Sequence, residues 1–158
     1  MGEIRFNAGW QADRWAGGLL VGHHFLEPDA AADDDGGGWA EVIGFVAGMH
    51  VESPAELLRQ LRLQWKAAGA AMRYNFPAAE VVGWYAGRAA RPDTEESPAE
   101  SPEPPAEATL LHHTFFNHPG QALLWLPQPD AEPSAWLGGG DTLRRREVGV
   151  LPPRGASR

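Results

Sequence analysis

The sequence predicts a single domain of the α/β (α+β) class, built as one central mixed sheet packed by helices. Three observations carry this. The chain has 158 residues, 43% of them apolar, enough for one domain with a real core. Its patterned segments run β-β-α-β-loop-α-β-β-β, an alternation too irregular for a doubly wound sheet. One long helix carries both a capping signature and an apolar stripe.

The elements follow in order. "GGLLVGHHFL" (Gly17–Leu26) is apolar and bounded by glycine, and reads as a strand. "EPDAAADDDGGG" (Glu27–Gly38) is an acidic hairpin tip; it lacks the ligand spacing and closing Glu of a calcium loop. "WAEVIGFVAGMHV" (Trp39–Val51) returns as a second strand, hairpin-paired with the first. A helix then starts with Ser53 as N-cap, Pro54 at N1 and Glu56 at N3. Leu58, Leu61, Trp65, Ala68 and Met72 recur at three and four residues and form its core-facing stripe. Gly69 weakens that helix locally. "NFPAAE" turns the chain and "VVGWYAG" is the next strand. "RPDTEESPAESPEPPAE" (91–107) holds five Pro and six acidic residues. It cannot bury enough apolar area to offset its ordering entropy, so an extended loop is expected. "ATLLHHTFF" is a short helix and "QALLWLPQP" a strand. "SAWLGGGDTLRRREVGVL" makes two edge strands around a glycine turn that includes Gly138, and residues 153–158 are a tail.

Composition excludes several function classes. Lys+Arg 13 against Asp+Glu 21 gives a net charge of -8, which repels phosphate backbones and anionic membranes. No Cys is present, so disulfides, thiolate zinc sites and Cys nucleophiles are absent together; this fits a cytoplasmic setting. The start, "MGEIRFNAGWQADRW", has no basic and apolar secretory pattern. No apolar run approaches the roughly 20 residues of a membrane span. The abundance of Ala, Gly, Pro and Arg matches the bias of GC-rich bacterial genomes.

"GGLLVG", "VIGFVAGMHVES", the capped helix, "VVGWYAG" and "LHHTFFNHPGQALLWLPQP", in that order, resemble the MPN (JAMM or JAB-type) domain over about 15–151. The resemblance implies a curved mixed sheet flanked by helices, with residues 1–152 as the domain and about 91–107 as an insertion. Active members are zinc isopeptidases that act on ubiquitin-like conjugates. In them a Glu stands three residues before the glycine of the first strand; here that position is Trp15, with Asp13 and Arg14 out of register. The His-x-His-Pro frame after "GWY" falls on Ala86, Gly87, Arg88 and Ala89. The Ser and the zinc-binding Asp fall near Pro105 and Ala108. Catalytic zinc needs about three protein ligands, an open water position and a general base. All of these fail together, and Arg88 adds a fixed cation. The resemblance therefore implies the inactive branch of the family. It further implies a binding or scaffold subunit with no cofactor, no metal and no catalytic residue.

A replacement site has little support in the residues. His23 and His24 are adjacent on a strand and point to opposite faces. His112 and His113 lie about 100° apart on a helix. A pairing of His24 with His113 stays open, and partly buried or surface positions are expected for the six His, His50 and His118 included. Ser53 is a cap, Ser97 and Ser101 lie in the acidic loop, and no G-x-S-x-G elbow or phosphate loop exists. "LRRRE" (Leu143–Glu147) is a small basic edge. Trp84, Tyr85, Phe115, Phe116 and Trp125 are expected in the core. Trp10, Trp15, Trp39 and Trp136 lie near element ends and are the candidate docking residues. The expected partner is a protein, an MPN-type homologue in a heterodimer or a second copy. Two alternatives stand beside this reading. One is a hydrolase with a relocated metal. The other is a module that binds a peptide or ubiquitin-like tail along a sheet edge.

Overall fold

The computed structural model describes residues 14–26, 38–48, 50–75, 77–88, 103–118, 120–127, 132–139 and 142–149. Trp10, the acidic tip 27–37, residues 91–102 of the Pro-rich segment and the tail 153–158 lie outside the described residues. The elements are β1 (Trp15–Leu26), β2 (Gly38–Ala47), α1 (Pro54–Asn75), β3 (Glu80–Arg88), α2 (Ala106–Phe115), β4 (Ala122–Leu126), β5 (Ser134–Gly139) and β6 (Thr142–Arg146). They form one α+β domain: a six-stranded mixed sheet, ordered β2-β1-β3-β4-β5-β6, flanked by two helices. The predicted fold class and element order are those observed.

β1 joins the two halves of the hairpin region, pairing antiparallel with β2 on one side and β3 on the other. β3 and β4 are parallel, so the chain must cross over between them, and α2 lies in that crossover. Leu20 pairs with Gly83 and Val21 with Val81, so β3 carries one extra residue there. This bulge shifts the alternation of side chains. Val81, Trp84 and Ala86 consequently share one face, and Val82 and Tyr85 share the other. Gly83 sits at the bulge with φ +156, and a Cβ there would run into the backbone of Ala122 on β4. A side chain is therefore excluded by the parallel strand itself.

Both helices pack on the face that carries Leu19, Trp84 and Leu123. α1 contributes Leu57, Leu61 and Ala68; α2 contributes Ala108 and Leu111. Leu57 was missing from the predicted stripe, which named Leu58; the structure buries Leu57 completely and Leu58 only in part. Trp84 stacks on Phe116 with centroids 5.6 Å apart. Each such fully buried large side chain contributes roughly 1.5–3 kcal/mol. The opposite face buries Leu20, Val82, Tyr85 and Leu124.

Several boundaries differ from expectation. α2 starts at Ala106, so the last two residues of the predicted loop are helical. Pro105 occupies the N-cap position with extended backbone, φ -64 and ψ 160, which ends the Pro-rich run and starts the helix at once. β2 ends at Ala47, and Val51 makes only an isolated bridge to Trp15. Gly138 lies inside β5, not in the turn. Phe115 is only partly buried.

Candidate functional site

Of the five positions singled out by the resemblance, Trp15, Ala86 and Arg88 lie at the C-terminal end of β3 in the β1–β3 pair, Ala108 shares the core cluster of Trp15 and Ala86, and Pro105 caps α2. Antiparallel pairing sets Trp15 opposite Arg88, and parallel pairing sets Ala86 beside Trp125. Trp15, Ala86, Ala108 and Trp125 belong to one buried apolar cluster, with Trp15 3% exposed and Ala86 and Ala108 fully buried. The Trp15 and Trp125 rings lie 6.1 Å apart and tilted. Backbone bonds of 2.8 Å in both directions tie Trp15 to Val51. Arg88 is exposed, with its guanidinium carbon 5.9 Å from the centroid of the Trp15 ring. That contact is a cation–π arrangement. Pro105 caps α2 without a side-chain hydrogen bond.

These positions do not fit a zinc ion. Trp15, Ala86 and Ala108 offer no lone pair, the indoles of Trp15 and Trp125 join the apolar packing around them, and Arg88 opposes a dication at the rim. Among the described residues no group of three or more His, Asp or Glu side chains is arranged to hold a metal.

The burial of Trp15 corrects its assignment as a docking residue, because a side chain 3% exposed cannot form a contact face. Trp136 is half-buried against the core and its indole N–H donates to Ser134 Oγ at 3.0 Å. Trp39 alone, among the described members of that set, is well exposed, at 52%. It stacks on Phe25 with centroids 3.9 Å apart, and Val42 and Ile43 are also exposed on β2.

The histidines fall differently from expectation. His112 is fully buried, not partly so. Its Nδ1 accepts a hydrogen bond from the Trp84 indole N–H at 3.1 Å, which puts the proton of the neutral ring on Nε2. Burial first, and His113 second, push its pKa down to about 4. Nε2 has no hydrogen-bond partner among the described residues and faces Gly138, where an added Cβ would lie 2.8 Å away. The signal for this residue was its spacing: His112 is four residues after Ala108 and four before Phe116, the buried line of the segment. His24 pairs with Glu80, Nδ1 to Oε1 3.0 Å, and not with His113.

His24 and Glu80 border a cleft of about 540 Å³ at the other end of the β1–β3 pair. Its walls come from the second half of α1, the turn into β3, the end of β1 and the turn between α2 and β4. Trp65, Met72, Pro77, Ala79 and Val81 are its apolar residues, and Arg73, His118 and Gln121 its further polar ones. The Gln121 side-chain carbonyl accepts from the His118 backbone N–H at 3.4 Å. No helix among the described residues is long and apolar enough to cross a membrane.

No family model matches the chain, and no curated protein matches it. Among solved structures it is similar to the solution structure of protein DSY2949 from Desulfitobacterium hafniense, at 19% identity. The match covers 92% of this chain and 84% of that one, with a TM-score of 0.46.

Proposed function

We propose that the chain is a non-catalytic MPN-type subunit that works by binding another protein. The observation that supports this is the packing at the end of β3. The positions where the resemblance implies a base and ligands converge, and they are filled by Trp15, Ala86 and Ala108 with Arg88 at the rim. The convergence is what a retained scaffold requires, and the filling removes the chemistry. Exposed Phe25 and Trp39, stacked on each other, and exposed Val42 and Ile43 farther along β2 offer apolar area of the kind a protein contact buries. An MPN-type homologue or a second copy is the proposed partner.

The test is isopeptide hydrolysis by the isolated chain with added zinc. Neither the natural chain nor the Ala86→His, Arg88→His double variant is expected to cleave, because Trp15 and Ala108 still supply neither base nor carboxylate. Zinc-dependent cleavage by the natural chain would overturn the proposal. Cleavage by the double variant alone would show that the base and acid positions are misassigned.

A further inference from the structure

The cleft beside α1 has features the fold itself does not require. Gly69 lies in the interior of a 22-residue helix, where glycine is unfavourable. Nothing lies within 4 Å of the point where its Cβ would stand, so no packing contact demands a glycine there. It sits four residues after Trp65 and three before Met72, on the helix face that lines the cleft. The missing side chain keeps the space between them open. The volume, about 540 Å³, is in the range of small-molecule sites, about 300–1,000 Å³.

The polar lining consists of Arg73, Glu80, His24, His118 and Gln121. Glu80, the acidic residue of the lining, is engaged by His24 at 3.0 Å. Among the described residues no carboxylate pairs with Arg73, and the His118 imidazole has no hydrogen bond. We propose that this cleft binds a small apolar carboxylic acid. Arg73 and His118 receive its carboxylate, and its apolar body lies over Gly69 against Trp65, Met72 and Val81. The cleft lies at the opposite end of the β1–β3 pair from the Trp15–Arg88 packing, while its His24 wall adjoins Phe25 of the proposed contact area.

Titration of the isotope-labelled full chain with 4-methylpentanoate, followed by NMR, tests this. The acid is expected to move the Trp65 indole signal and the amides around Gly69 and Gln121 saturably. Its uncharged amide is expected to bind about tenfold more weakly or worse, since it lacks the charge that a guanidinium holds. Gly69→Leu is expected to abolish binding while the melting temperature holds or rises. Arg73→Gln, an exposed change on a folded surface, is expected to weaken the acid about tenfold and leave the amide unaffected. A peptide ending in leucine is the third probe, and the cleft is expected to prefer the free acid. Absence of shifts at the cleft, equal binding of acid and amide, binding of the peptide alone, or undiminished binding by a folded Gly69→Leu variant would each overturn the proposal.

Discussion

As the pH falls below about 6.5, an unfolded copy of this chain protonates residue 112 and the folded copy does not. The folded pKa, about 4, is depressed because a charged imidazole would lose its hydration beside Phe116 and Trp84. The contribution to stability is therefore complete above pH 6.5. It is lost as the pH drops toward 4 and then levels off. A shift of this size corresponds to roughly 3 kcal/mol. Unfolding free energies from urea titrations between pH 7 and pH 4 are expected to fall by about that amount more in the natural chain than in His112→Gln, which keeps an acceptor for the Trp84 indole but cannot titrate. Equal slopes in the two proteins would place the acid sensitivity elsewhere. At this scale the sequence was least informative. Adjacent His112 and His113 look alike on paper, and only the docking of α2 on the sheet buries one and leaves the other half-exposed. Trp15 was misread for the same reason: it stands at a strand end, but Val51 and Trp125 close over it.

Local elements were far more legible, because their signals lie within a few residues. The start of α1 is one case. Ser53 Oγ accepts from the Glu56 backbone N–H at 3.2 Å, as the capping pattern requires. In return the Glu56 carboxylate accepts from the Glu52 backbone N–H at 3.4 Å, one residue earlier than a capping box has it. Ser53→Ala should cost about 1 kcal/mol in thermal or urea unfolding, and Ser53→Asp should restore it. No difference among the three would mean the helix start is held by Leu57 packing alone. α2 was harder to delimit because its first residues, Ala106 and Glu107, continue the composition of the acidic run before them. The β3 bulge was invisible for a different reason. "EVVGWY" contains the glycine, but the collision that demands it comes from Ala122, almost forty residues on.

The whole molecule depends on such distant pairings. Strand order β2-β1-β3-β4-β5-β6 requires β1 to sit between two partners and β3 to run parallel to β4, and no local pattern states either. The mixed sheet was anticipated from the element order, while its register was not. The same distant pairings bring Trp15, Ala86 and Arg88 together, and the docking of α2 adds Ala108 to the core cluster of Trp15 and Ala86, although most of the domain separates residues 15 and 108 in sequence. The cleft is likewise assembled from four separate segments, and Gly69, read from the sequence only as a local weakening of the helix, gave no sign of it. The proposed function rests on the packing at the end of β3, where apolar side chains fill the positions that the resemblance implies for a dication. Metal analysis of the purified full chain, after dialysis in chelator-free buffer supplied with zinc and then without it, tests that most directly. The account predicts no stoichiometric zinc, whereas one zinc retained per chain would contradict it.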